Sequence, residues 1–314
     1  MARTALIYHP DALLHDTGAG HPERRARLES IVQHLKDRSL WDEVLHLQPQ
    51  LAPRHALLRA HSPVHLDRVA ALAQVEQSLY VSQDTAFSPG TYRAALLAAG
   101  APLTAIDALL TGHADHAFCC MRPPGHHAEV EQIMGFCFFN NAAVAAHYLR
   151  AECGCDKVAI IDWDVHHGNG TQHIFEADSS VFFCSIHQSP LYPGTGAADE
   201  RGLGAGRGQT LNIPVPAGST DADYLRHFAD TIIPAIDQFQ PDFILLSAGF
   251  DAHCNDPLGQ ILLSAECYGQ LTELVLQLAI RHCEGRLVSL LEGGYDLEAT
   301  ADSVAAHLSA LLAA

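Results

Sequence analysis

The stretch that decides the fold runs from Val158 to Thr171, V-A-I-I-D-W-D-V-H-H-G-N-G-T. Val158, Ala159, Ile160 and Ile161 form an apolar run, rich in β-branched side chains and too short for a helix, which predicts a buried strand. Asp162, Asp164, His166 and His167 follow at once. In an extended chain side chains alternate faces, so Asp162, Asp164 and His166 share one side and Trp163 and Val165 the other. Two carboxylates and an imidazole thus stand at the C-terminal end of a strand, where open parallel α/β sheets place their ligand crevices. Gly168, Asn169 and Gly170 turn the chain out of the strand. Burying this much charge is costly unless a cation compensates it, and mixed oxygen and nitrogen donors suit a borderline divalent metal such as zinc.

Working outward, the same arrangement recurs. Thr4 to Tyr8, Ala117 to Met121, Val181 to His187, Thr210 to Val215, Phe243 to Ala248 and Leu287 to Leu291 read as further strands. Helical patterns alternate with them: His21 to about Arg38, Pro53 to Arg59, Ser62 to Gln77, Pro89 to Leu110, a segment ending near Arg150, Asp221 to Gln238, Ser264 to His282, and a last one to about Leu312. Pro22 and Glu23 suit the first turn of the first of these, and Tyr80 to Gly90 reads as loop. Strands alternating with helices predict one doubly wound parallel sheet. No repeat, low-complexity tract or linker divides the chain, so residues 1–314 are expected to form a single catalytic domain.

Strand ends deliver His126 and His127 after R-P-P-G, then Asp162, Asp164 and His166, then Asp251, then Tyr295 after E-G-G. Asp164, His166 and Asp251 would make a three-ligand metal site with positions open for water and substrate, as a catalytic zinc requires. The tandem histidines are candidates for general base and general acid, with Asp162 orienting one of them. Tyr295 could donate its hydroxyl to a developing oxyanion. Together these predict metal-assisted hydrolysis of an amide or ester.

Composition narrows the setting. A chain of 314 residues, 48% hydrophobic, can bury a large core. The net charge of -18 argues against non-specific binding to nucleic acid or anionic membrane and is compatible with cationic substrates. The nine cysteines include no C-x-x-C and sit mostly in apolar runs, which points to buried thiols in a reducing compartment. The apolar part of the N-terminus is too short for a signal peptide, and no run approaches the roughly 18 apolar residues of a membrane span. The expectation is a soluble cytoplasmic protein.

Six ordered motifs carry a resemblance: R-P-P-G-H-H, G-F-C-F-F-N-N, D-W-D-V-H-H-G-N-G-T, P-G-T-G, S-A-G-F-D-A and L-E-G-G-Y. From about His21 to the C-terminal helix the chain resembles the histone deacetylase superfamily, in particular its class II and bacterial deacetylase-like amidohydrolase branch. The resemblance implies the arginase-deacetylase fold, a single α/β domain around an eight-stranded parallel sheet. It also implies a zinc-dependent deacylase whose substrate enters a narrow tunnel with one metal ion at its floor.

By the same resemblance Asp164, His166 and Asp251 match the zinc ligands. His127 matches the base that activates water, and His126 a partner that is electrostatic or assists protonation of the leaving group. Asp162 stands behind His126. Asn169 stands behind His127, where class I enzymes have aspartate, and a neutral partner should leave the imidazole less basic. Tyr295 matches the catalytic tyrosine. Phe136 and Tyr192 match the aromatic walls that clasp the lysine methylenes, and Gly135 a carbonyl that accepts the substrate's amide hydrogen. Arg27 matches an arginine of an internal acetate exit channel. Asp162, Asp164, His166, Ser185 and Ile186 match the positions around a structural potassium ion. Leu258, in D-P-L-G, stands where polyamine-specific relatives carry a glutamate, which favours acetyl-lysine in proteins or peptides over acetylpolyamines. The rim loop with Gln83 and Asp84 is a candidate to hold the substrate's backbone.

Two other classes compete. An arginase-like binuclear hydrolase on the same fold would need a second set of Asp and His ligands, which His126 and Asn169 do not provide. A non-catalytic module that reads acyl groups would be favoured by loss of Tyr295, a ligand or a tandem histidine, and none is lost.

Overall fold

Apolar runs of four to eight residues become most of the sheet strands of a computed structural model that describes residues 3–314. The strands are β1 (Thr4–Ile7), β2 (Leu45–Leu47), β3 (Leu79–Tyr80), β4 (Ala86–Phe87), β5 (His116–Cys119), β6 (Val158–Asp162), β7 (Val181–Gln188), β8 (Thr210–Val215), β9 (Phe243–Ala248) and β10 (Leu287–Leu291). Eight of them form one sheet in the order β2-β1-β5-β10-β9-β6-β7-β8, with every neighbouring pair parallel. Residues of β1, β5, β6, β7, β9 and β10 are buried throughout, as a sheet covered on both faces demands.

The helices are α1 (Ala26–Asp37), α2 (Arg54–Leu57), α3 (Pro63–Leu72), α4 (Thr91–Leu110), α5 (Asn141–Glu152), α6 (Asn169–Phe175), α7 (Asp221–His227), α8 (Ile233–Phe239), α9 (Ala265–His282) and α10 (Leu297–Ala313). Helices α1, α9 and α10 pack together as one layer, and α4 with α5 as another. By length and composition α4 could cross a membrane, contrary to the reading that no run comes near a span. Its alanine-rich surface is instead core: 14 of its 20 residues are buried.

The differences from the sequence reading have local causes. Strand β2 escaped notice because it is a three-residue, largely exposed edge strand with no apolar run. The segment read as loop from Tyr80 to Gly90 contains the last residue of β3 and all of β4, which pair as a short antiparallel ribbon. The expected helix from Asp221 to Gln238 is interrupted by a π-turn over Phe228–Ile232. Pro234 explains it, since its missing N–H and its ring leave no place for the bond to the carbonyl of Asp230. Asn169 does not turn the chain but begins α6.

Helix α1 starts at Ala26 rather than at Pro22, because Glu23 is drawn into the interior. There the fully buried Glu23 pairs with both side-chain nitrogens Nε and Nη2 of Arg122, and with Arg27 Nη1 at 3.1 Å. Arg122 also donates to the carbonyls of Ala12 and His15 at 3.3 Å. One carboxylate therefore ties the segment before α1 to the exit of β5.

Burial alone would raise the Glu23 carboxyl, but Arg122 above all holds it well below the usual carboxylate range. A depressed folded-state value means that Glu23 stabilises the fold fully above about pH 4.5 and ceases to do so only as pH falls through that lower value. Glu23→Gln leaves two buried guanidinium groups without their counter-ion and should cost about 3–5 kcal/mol in urea unfolding at pH 7. A loss below about 1 kcal/mol would show that the arginines find other partners.

Candidate active site

The D-x-D-x-H segment is bent rather than extended beyond Asp162, and the bend follows from its own carboxylates. Asp162 Oδ1 accepts from the backbone N–H of Asp164 at 3.1 Å, and Asp164 Oδ1 accepts from that of His166 at 2.9 Å. These are successive Asx turns, which curl the chain and gather its polar side chains. Trp163 points away into the core against Tyr268 and His307. Of the two histidines only His166 joins the carboxylates, while His167 is held by Thr195 and Gln172.

Sheet order does the rest. Strands β5, β10, β9 and β6 are consecutive neighbours, so their four C-terminal exits converge. From β9, Asp251 Oδ1 accepts from the backbone N–H of Val165 at 2.8 Å. From β10, the backbone N–H of Gly293 donates to Asp164 Oδ2 at 2.8 Å. Residue 293 must be glycine, since a Cβ there would lie 2.0 Å from Asp251 Oδ2.

Asp164, His166 and Asp251 each offer a donor atom, all within 4.8 Å of one another and all buried. His166 Nδ1 lies 3.0 Å from Asp164 Oδ1 and 3.2 Å from Asp251 Oδ2. A tetrahedral ion with ligand bonds of about 2.0 Å needs donors about 3.3 Å apart, so the spacing fits zinc. Asp251 Oδ2 is buried with no hydrogen-bond donor, as a lone pair kept for a cation would be. Burial lowers the His166 imidazole, but the neighbouring carboxylates of Asp164 and Asp251 more than reverse this and push it up to about 10. Positive charge is what this cluster binds most readily.

The tandem histidines leave β5 side by side, with ring centroids 4.0 Å apart and different partners. His126 Nδ1 donates to Asp162 Oδ2 at 2.9 Å, and His127 Nδ1 donates to Asn169 Oδ1 at 2.7 Å. Burial disfavours the charged form of both. At His126 the charges of Asp162 and Asp164 override it and hold the imidazole well above its usual value. At His127 burial is joined by His126 and His166, and the ring is held well below. Two groups pushed apart in this way suit opposite acid and base duties.

Above them opens a cavity of about 250 Å³ whose walls include His127, Gly135, Phe136, His166, Tyr192, Leu258 and Tyr295. Tyr192 stands edge-on to His127 at 5.1 Å, and Phe136 edge-on to Tyr295 at 5.9 Å. Gly135 has φ +56, and a Cβ on it would strike the His127 ring at 2.2 Å. Phe136 also has positive φ, strain of the kind kept at functional sites. Burial raises the Tyr295 hydroxyl well above its usual value, so it is a neutral O–H donor. Asp84 lines the cavity too, with Oδ1 accepting from Ser82 and Thr85 and Oδ2 from the Gly135 N–H at 3.3 Å.

Ser185 is paired with Asp162 across β6 and β7, with Ile186 next to it. Arg27 is wholly engaged: it donates to the carbonyls of Gly294 and Glu292, pairs with Glu23, and lies 4.9 Å from the centre of the Tyr295 ring. It therefore clamps the E-G-G-Y turn.

Several members of the site were not read from the sequence. Glu292 accepts from the backbone N–H groups of Gly125 and His126, at 2.7 and 3.2 Å, and so fixes the turn carrying the tandem histidines. Asp256 accepts from the N–H of Leu258 at 2.9 Å with one oxygen and of Tyr295 at 2.7 Å with the other, joining two residues of the cavity wall. Glu129 accepts from the Asn169 amide and, at 2.8 Å, from His173 Nδ1. Their only signal was position, since each lies within a few residues of a motif histidine, aspartate or tyrosine.

A sequence model of the histone deacetylase domain matches residues 21–311. The histone deacetylase-like amidohydrolase of Pseudomonas aeruginosa is 41% identical over 88% of this chain and 73% of its own length. Human polyamine deacetylase HDAC10 is 38% identical over 98% of this chain and 48% of its own, so the chain spans about half of that relative. The solved structure of the HDA15 HD domain superposes with a TM-score of 0.94 at 39% identity, over 99% of this chain and 88% of that one. A domain match of this length, with the same fold at this identity, makes the chain a member of the histone deacetylase family, a family of zinc-dependent hydrolases acting on amide bonds.

Proposed function

We propose that this chain is a zinc-dependent deacetylase that removes acetyl or other short acyl groups from the side-chain amine of lysine in proteins or peptides. The observation that carries the reading is a cavity lined by the partly exposed Leu258 together with the buried His127, His166 and Tyr295. Its aromatic and aliphatic walls suit a chain of methylenes, Leu258 is neutral and offers nothing to a second ammonium group, and the Asp84 carboxylate already accepts from Ser82, Thr85 and Gly135. The acetylpolyamine alternative rests on likeness to a polyamine deacetylase and shares every catalytic step.

Asp164, His166 and Asp251 would hold the zinc, which supplies polarisation of the acyl carbonyl and acidification of water. His127, with Nδ1–H tied to Asn169, presents Nε2 as the base for the attacking water. The proton it accepts goes to the departing amine nitrogen, leaving acetate and free lysine. His126, kept cationic by Asp162, steadies the negative charge that builds beside it. The Tyr295 hydroxyl donates to the carbonyl oxygen as it becomes an oxyanion. Asp162, Asp164, His166, Ser185 and Ile186 form the proposed seat of a structural potassium ion. Gly135 would accept the substrate's amide hydrogen, and Arg27 would line the path by which acetate leaves.

Two measurements test this. Zinc-loaded enzyme offered an acetyl-lysine peptide and N-acetylputrescine should turn over the peptide faster, and a chelator should stop both reactions. Leu258→Glu should move the preference toward the polyamine. Faster turnover of N-acetylputrescine by the unaltered chain would overturn the substrate reading and leave the mechanism standing. Tyr295→Phe should bind zinc normally and lose kcat by about 10²- to 10³-fold; wild-type turnover in that variant would remove the hydroxyl from the mechanism.

A further inference from the structure

In an asparagine side chain the amide oxygen and nitrogen occupy nearly the same shape, so its orientation is set only by its neighbours. Asn169 stands behind His127, and the two orientations have opposite consequences. With Oδ1 toward the ring, His127 must carry its proton on Nδ1, and Nε2 is free to act as a base. With Nδ2 toward the ring, Nδ1 must accept, the proton moves to Nε2, and the base is lost. An aspartate at 169 would present an acceptor either way. The asparagine needs a third group to choose for it.

We propose that Glu129 makes this choice and is a positioning residue for the base, an inference that rests on the assignment of His127 under the proposed function. Asn169 Nδ2 donates to Glu129 Oε1. A carboxylate only accepts, so it admits the amide nitrogen and repels the amide oxygen. The carbonyl of His127 accepts from the same Nδ2 at 3.3 Å and favours the same orientation. Asn169 Oδ1 is thereby turned to His127 Nδ1 at 2.7 Å. The parts are held by short chain segments. Glu129 lies two residues after His127, and Asn169 opens α6. His173, one turn along the same helix, places Nδ1 2.8 Å from the same Glu129 oxygen and holds the carboxylate from the other side. Glu129 is half-buried, and among the described residues its carboxylate bonds to Asn169 and His173 and to none of Asp164, His166 and Asp251, so its effect reaches the reaction through Asn169 and His127.

Glu129→Gln tests the proposal, because glutamine keeps the shape and the hydrogen bond but accepts either face of the Asn169 amide. In zinc-loaded enzyme with an acetyl-lysine peptide, kcat should fall on the order of tenfold, less than the roughly 10²- to 10⁴-fold that a general base typically contributes, because the base is still present and only part of it is misoriented. KM, zinc content and thermal midpoint should stay as in wild type. In an Asn169→Asp background the same change should cost nothing or restore activity, since residue 169 then orients His127 unaided and Glu129 only repels it. Equal kcat in Glu129→Gln and wild type, or the same fall in both backgrounds, would overturn the proposal. Histidine-selective ¹⁵N NMR of the metal-free protein, with the His127 signals assigned by their absence in His127→Ala, reads the ring directly. It should be protonated at Nδ1 in wild type and a mixture of tautomers in Glu129→Gln; a single Nδ1 form in both would contradict the inference. An inactive wild type would sink the deacetylase reading, while the NMR comparison would still decide the role of Glu129.

Discussion

Four carboxylates, those of Asp162, Asp164, Asp251 and Glu292, are buried where neighbouring strands of one sheet end. Charge in such a place is tolerated only when it is paired, hydrogen-bonded or bound to a cation. Most of the site can be understood as the answer to that demand. Backbone N–H groups of Gly125, Asp164, Val165, His166 and Gly293 each point at one of these oxygens. His126 is held as a cation by Asp162, and Asp251 keeps one oxygen without a donor. A divalent ion among Asp164, His166 and Asp251 would complete the balance.

That balance depends on the rest of the chain. The sheet order brings the exits of β5, β10, β9 and β6 together, although their sequences lie far apart. The Glu23, Arg27 and Arg122 cluster braces two of these exits, because Arg122 follows β5 and Arg27 grips the carbonyls of Glu292 and Gly294 after β10. Asp256 joins Leu258 to Tyr295, both in the cavity wall. Positions such as 135 and 293 admit only glycine because a functional side chain occupies the space a Cβ would take. The groups of the site are thus placed by packing and backbone contacts as well as by the bonds of His126 to Asp162 and of His127 to Asn169.

Much of this was legible in the sequence. Six of the eight sheet strands are buried throughout, and burial on both faces writes itself into composition. The edge strand Leu45–Leu47 is short and exposed, so it leaves no such mark. Asp164, His166, Asp251 and the tandem histidines stood out because polar residues directly after an apolar strand are unusual. Glu129, Asp256 and Glu292 did not stand out, since a carboxylate near a loop is ordinary until the fold shows what it accepts from. The π-turn before Pro234 was hidden because helical periodicity survives a one-residue slip.

The central claim is that the buried surplus of negative charge exists to bind one metal ion. Equilibrium titration of the metal-free protein with zinc, followed by thermal unfolding of the loaded and unloaded forms, tests it most directly. The account predicts one zinc per chain, a higher unfolding midpoint when loaded, and neither effect in Asp251→Ala. Full zinc stoichiometry in Asp251→Ala, or a wild-type midpoint indifferent to zinc, would contradict it.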